Sequence, residues 1–188
     1  MAQPMLFLDT ETGGLDPRGH SLLSLGLVVG AGAEVAHSLE ILVRHDPYVV
    51  SAEGLKVNRI DLVRHSETAL DPPVALAVLE VFLEQHFPHR CQPITLAGHN
   101  VGFDQAFLGA FLAGQGRSLE PRFSHRVVDT HSLAAGLRDA GKLDLADLNS
   151  TALFAHFGIL VPEERRHTAL GDALATFELY WKLVELVR

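Results

Sequence analysis

The chain has 188 residues, 47% of them hydrophobic and 20% charged, with 23 acidic against 15 basic side chains and a formal charge of −8. That length and balance suit one folded domain over residues 1–188 and exclude a disordered chain. The single cysteine, Cys91, excludes an internal disulfide framework, and the net negative charge argues at first sight against a nucleic-acid partner.

Residues 5–8 form a short continuous apolar run, read as a strand buried on both faces. Two more apolar runs follow at 21–29 and 35–43, and the glycine-rich gap between them predicts a hairpin. Residues 44–71 read as a polar, irregular loop with one short helix. Asp71-Pro72-Pro73 is a helix start signal, and Ala75, Val78, Leu79, Phe82 and Leu83 then keep helical spacing to about residue 87. A strand is predicted at 93–97, a helix at 103–113, a short strand at 126–128 and a helix from Thr130. A further helix at 148–157 stops at Gly158, and the last carries Leu170, Ala173, Leu174, Phe177, Tyr180, Trp181 and Val184 on a 3.6-residue period. Three leading strands followed by alternating helices and strands predict an α/β domain with a mixed sheet. No apolar run reaches the roughly 20 residues of a membrane span, and residues 1–8 lack the basic start of a signal peptide.

Three segments carry the chemistry. In Phe7-Leu8-Asp9-Thr10-Glu11-Thr12-Gly13-Gly14, a strand continued through residue 11 puts Asp9 and Glu11 on one face, ~6.6 Å apart. Two carboxylates at the end of a buried strand call for a positive offset such as Mg²⁺ or Mn²⁺, although a solvated strand-end turn explains the same residues. In His99-Asn100-Val101-Gly102-Phe103-Asp104, Asp104 falls in the first turn of a helix, where a plain capping role is the simpler account. In His167-Thr168-Ala169-Leu170-Gly171-Asp172, Thr168 is the expected N-cap, Asp172 lies in the first turn, and His167 sits just outside. The preceding polar loop, 162–166, is expected to be mobile. A His there suits a general base, or it is simply solvated.

Taken together and in this order, about 90 and 65 residues apart, the three segments resemble the DEDDh, DnaQ-like 3′–5′ exonucleases. That family includes bacterial proofreading subunits, ribonuclease T and oligoribonuclease. The resemblance covers nearly the whole chain, including Val128-Asp129-Thr130 opening a later helix. It implies a ribonuclease H-like fold, with a five-stranded mixed sheet flanked by helices. It assigns Asp9, Glu11, Asp104 and Asp172 as metal-binding carboxylates for two Mg²⁺ or Mn²⁺, and His167 as the general base. It further implies contacts to the terminal nucleotide from Thr10, Thr12, Gly13, Leu15, Asn100 and Phe103, and release of nucleoside 5′-monophosphates from a single-stranded 3′ end. Arg165 and Arg166 are plausible phosphate contacts or a solvated charge run, and Asp129 reads as structural. Gly171 stands where an alanine is common, a change expected to loosen the helix start by up to ~1 kcal/mol.

Other features compete. Gly30-Ala31-Gly32 begins like a dinucleotide fingerprint, but it joins two strands and Val35 occupies the third glycine position. His86, His89 and Cys91 lie close together, yet Pro88 interrupts them and no fourth zinc ligand is evident nearby. Asp9-x-Glu11 imitates the nucleophile motif of haloacid-dehalogenase-like phosphatases, but the downstream pattern fails. A non-cutting nucleic-acid-binding module of a polymerase or repair complex is the other rival, and the full five-residue set weighs against it. The last helix runs almost to Arg188, which favours a free-standing cytoplasmic exonuclease over a dedicated proofreading subunit. DNA is slightly preferred to RNA as substrate, and a homodimer stays open. Assigning four of the 23 acidic residues to cations leaves 19 against 15 basic ones, so the charge balance no longer argues against nucleic acid.

Overall fold

The computed structural model describes residues 5–89, 92–162 and 165–187. Its five strands are β1 (Met5–Thr12), β2 (Leu22–Ala31), β3 (Glu34–Leu42), β4 (Ile94–Gly98) and β5 (Phe123–Asp129). They form one mixed sheet in the order β3-β2-β1-β4-β5, with β1–β2 and β2–β3 antiparallel and β1–β4 and β4–β5 parallel. This is the predicted five-stranded sheet, including the hairpin between β2 and β3. Strand β1 extends past the apolar run through both acidic positions, and β5 is longer than the 126–128 stretch expected. Seven helices accompany the sheet among the described residues: α1 (Ala52–Asn58), α2 (Leu62–Thr68), α3 (Pro72–His86), α4 (Gly102–Gly114), α5 (Thr130–Asp139), α6 (Ser150–Phe157) and α7 (Ala169–Val187). None is long and apolar enough to cross a membrane.

Strand alternation decides which helix meets which side chain. Leu6 and Leu8 pack with Leu79, Phe107 and Leu108 of α3 and α4. Phe7 points the other way, against Ala173 and Phe177 of α7, with its ring 5.1 Å from that of Phe177. Continuing the period of two, Asp9 and Glu11 project toward α7, whereas Thr10 projects toward α4.

Three local expectations change. Residues 44–71 hold two short helices, each with its own side-chain cap, from Ser51 to Gly54 N–H and from Asp61 to Val63 and Arg64 N–H. Asp71 precedes α3 as expected but makes no capping bond; its carboxylate is taken by the Arg44 guanidinium at 2.6 Å. The helix expected from 148 begins at Ser150, because Asn149 accepts the Ala152 N–H at 2.8 Å. Leu148 is thereby left before the cap, buried in the same cluster as Leu153, as a hydrophobic staple.

Candidate active site

Asp9, Glu11 and Asp172 each offer a carboxylate oxygen, and these oxygens lie within 4.8 Å of one another. The first two come from the α7-facing side of β1 and the third from the first turn of α7. Thr168 caps that helix as predicted, accepting the Gly171 N–H at 3.0 Å. His167 stands just before the cap with a left-handed φ of 60°, and its charge, with that of Arg166, acts against the rise in the Asp172 pKa.

Asp104 reaches the group from α4. It is 4% exposed, and its Oδ1 accepts the Thr10 hydroxyl at 2.7 Å. The helix start at Val101 carries no side-chain cap, and Asp104 lies in the first turn as expected, where its carboxylate also accepts its own amide. Its charge is felt at both Asp9 and Glu11.

Electrostatically the cluster is unbalanced. Burial, then Asp104, Asp172 and Glu11, hold Asp9 well above the usual carboxylate range. Burial, then Asp172, Glu40 and Asp104, push Glu11 up to about 8. Burial lifts Asp104 to about 7 against hydrogen bonds from Thr10 and its own amide, and it raises Asp172 as well. Clustered, desolvated carboxylates with only oxygen donors are the ligand set of a hard divalent cation, so these residues fit such an ion.

The residues expected around the terminal nucleotide are distributed as follows. Thr10 spends its hydroxyl on Asp104, and the Thr12 hydroxyl donates to the Gly14 carbonyl at 2.8 Å. The Thr12 carbonyl accepts the buried Asn58 amide at 2.9 Å. Gly13 donates its N–H to Ser21 and accepts from the Ser51 N–H. Thr12 and Gly13 are therefore tied to α1 and its cap through Asn58 and Ser51, a support that no local pattern in the sequence signals. Leu15 is 85% exposed. Asn100 adopts a left-handed φ of 57°, and its N–H donates to Asp129 Oδ1 at 2.7 Å. Phe103 is 37% exposed, its ring 4.9 Å from that of Phe107.

Asp129 is structural, as expected. It caps α5 through the Ser132 N–H and fixes the Asn100 turn; against burial, which raises it, the Ser132 hydroxyl and then the Asn100 and Ser132 amides keep its carboxyl below its ordinary value. Arg166 Nη2 donates to the Thr151 hydroxyl at 3.1 Å, whereas Arg165 is exposed. Glu163 and Glu164, in the loop expected to be mobile, lie outside the described residues, as does Cys91. Of the suggested zinc set, His86 stacks on His37 with ring centroids 3.9 Å apart. Glu40, one of three carboxylates acting on Glu11, was also missed; its only signal is an acidic residue between Leu39 and Ile41 in an apolar strand.

No family profile matches the chain. It is 30% identical over 182 residues to a DNA polymerase III subunit epsilon-like protein of Rhodobacter capsulatus, covering 96% of this chain and 23% of that protein. The chain thus spans less than a quarter of the length of this relative. It is 25% identical over 190 residues to ribonuclease T of Haemophilus ducreyi, covering 97% and 86% of the two chains. With oligoribonuclease of Aliivibrio fischeri it shares 27% over 138 residues, covering 70% and 73%. Among solved structures, product-bound exonuclease I superposes with a TM-score of 0.78 at 16% identity, over 98% of this chain and 44% of the other. The nuclease domain of 3′hExo, a DEDDh family member bound to rAMP, superposes with a TM-score of 0.76 at 14% identity, over 97% and 92%. These two likenesses establish a shared fold, and the sequence relatives narrow it. The chain is thus similar in sequence to an epsilon-like protein, to ribonuclease T and to oligoribonuclease, and it shares the fold of a DEDDh nuclease domain.

Proposed function

We propose that the chain is a metal-dependent 3′–5′ exonuclease that removes nucleoside 5′-monophosphates from the 3′ end of single-stranded nucleic acid, DNA foremost. The observation that carries this reading is the meeting of Asp9, Glu11 and Asp172 oxygens within 4.8 Å, with Asp104 buried beside them. In this reading the four carboxylates hold two Mg²⁺ or Mn²⁺ ions. Bound there, the cations supply Lewis acidity that makes a water easier to deprotonate and offsets charge on the phosphate oxygens.

The chain's own groups do the rest. Asp9, Glu11 and Asp172, with Asp104 beside them, would hold the cations. His167 takes a proton from the attacking water on an imidazole nitrogen. The water oxygen joins phosphorus, the bond from phosphorus to the 3′ oxygen breaks, and that oxygen takes a proton from solvent and leaves as a hydroxyl, while His167 returns its proton to solvent. Leu15 and Phe103 offer apolar faces to the terminal base, and Asn100 a hydrogen-bonding amide. The backbone of Thr10, Thr12 and Gly13 flanks the terminal sugar. All of this lies within one domain of residues 1–188, whose partner is the free 3′ end.

A second reading, RNA trimming, is favoured by one observation: ribonuclease T and oligoribonuclease match over 86% and 73% of their own lengths. Exonuclease I, solved with a dT13 oligonucleotide, supports the DNA reading. The test compares 5′-labelled single-stranded DNA, duplex DNA and RNA with Mg²⁺, Mn²⁺ or EDTA. A metal-dependent ladder shortening from the 3′ end is expected, strongest on single-stranded DNA, absent in Asp9→Ala and greatly weakened in His167→Ala. Ladders that persist in both variants would overturn the site assignment.

A further inference from the structure

Glu40 lies in a row that the sheet register defines. It pairs with Gly26 across β3–β2, and Gly26 pairs with Asp9 across β2–β1. Directly opposed residues on neighbouring strands share a face, so Glu40 and Asp9 project from the same side, two strand spacings or about 9.6 Å apart. The position between them has no side chain. A Cβ at Gly26 would lie 2.1 Å from the Ala169 carbonyl oxygen, so the backbone that begins α7 fills this notch. From the far side of the notch, Glu40 Oε1 accepts the Leu170 N–H at 3.4 Å. Thr168 takes the next free amide, that of Gly171. The first turn of α7 is therefore seated between β2 below and Glu40 beside, with Asp172 and His167 on either side of the anchored residues.

We infer that Glu40 is a positioning residue for the α7 start, holding Asp172 and the His167 turn in register with Asp9 and Glu11. It touches no substrate and is not part of the ligand set. It acts as a hydrogen-bond acceptor, and its effect is carried through Leu170. The inference rests on the reading of Asp9, Glu11, Asp104 and Asp172 as the active site.

The two ideas are separable by three variants assayed on a 5′-labelled single-stranded oligonucleotide at saturating Mg²⁺. Glu40→Leu keeps the bulk and removes the acceptor, Glu40→Gln keeps an acceptor and removes the charge, and Asp9→Ala removes a proposed ligand. Glu40→Leu is expected to lower kcat at least ten-fold with KM changed less than two-fold, and Glu40→Gln to restore kcat to within about three-fold of the parent. Should Glu40→Leu melt below the assay temperature, Glu40→Ala, which adds no bulk, takes its place with the same expectation. A parent-like kcat in the acceptor-free variant, or an equal loss in Glu40→Gln, overturns the positioning role while Asp9→Ala is still inactive. Activity retained by Asp9→Ala overturns the reading of the site itself.

Discussion

At the residue scale, the site is costly to assemble without cations. Glu11 is 9% exposed and is pushed up to about 8 by burial and by three neighbouring carboxylates. Replacing it with an uncharged isostere removes repulsion that the fold otherwise carries. Glu11→Gln should therefore raise the melting temperature of the metal-free protein at pH 8, on the order of 2 kcal/mol in stability, while abolishing the cation-induced increase. Calorimetry with and without EDTA measures both effects. The acidic cluster of Asp9, Glu11 and Asp172 was legible in the sequence because oxygen ligation restricts residue type and the motifs restrict order. Glu40, Asn58 and the Thr10–Asp104 bond were not legible. Each depends on which distant residue lies opposite in a sheet or across a turn, which no local pattern encodes.

At the element scale, the start of α7 is where packing overrode propensity. Gly171 was expected to loosen the helix, but a Cβ there would lie 1.9 Å from the Arg165 carbonyl oxygen and 3.0 Å from the Thr168 hydroxyl. Backbone cannot yield as a side chain tip can. Gly171→Ala should thus destabilise the protein by about 1–3 kcal/mol despite alanine's better helix propensity, and should depress activity by displacing residues 165–168. Urea denaturation beside a rate assay checks this. The long helices were readable from periodicity. The short α1 and α2 were harder to see, since each has only seven residues and depends on its cap and on tertiary anchors.

Helix α2 is anchored by His65, whose Nε2 meets the Leu23 carbonyl at 2.9 Å and whose Nδ1 meets the Tyr48 hydroxyl at 2.9 Å. The carbonyl makes Nε2 the donor and leaves Nδ1 to accept, so the ring is held neutral. Burial keeps His65 below its ordinary value, as it does His86 and His99. At these three rings the unfolded chain binds protons more readily than the fold. Their contribution to stability is complete above about pH 6.5 and is lost as the pH drops below it, opposite in sign to that of the raised active-site carboxylates. The gap in urea midpoint between the parent and His65→Asn, which isolates this contribution, should narrow from pH 7.5 through 6.5 to 5.5; a gap that does not change with pH would contradict it.

At the scale of the whole molecule, the sheet order brings the acidic groups together. β1 sits between an antiparallel partner and a parallel one, so its carboxylates meet α7 on one face while α4, following β4, delivers Asp104 from the other. This places negative charge at one end of the sheet, and the formal charge of −8 is partly a property of that site. Divalent cations should accordingly raise the melting temperature of the parent protein by several degrees at millimolar concentration, and should leave Asp9→Asn unchanged; differential scanning fluorimetry across a Mg²⁺ and Mn²⁺ series tests this.

The central claim concerns where water attacks. Single-stranded oligonucleotide is incubated with the protein and Mn²⁺ in ¹⁸O-enriched water, and the released nucleotides are analysed by mass spectrometry. Nucleoside 5′-monophosphates carrying one ¹⁸O on phosphorus are expected, absent with EDTA and with Asp9→Ala. Label recovered in 3′-phosphates, or mononucleotides still released with EDTA, would contradict it.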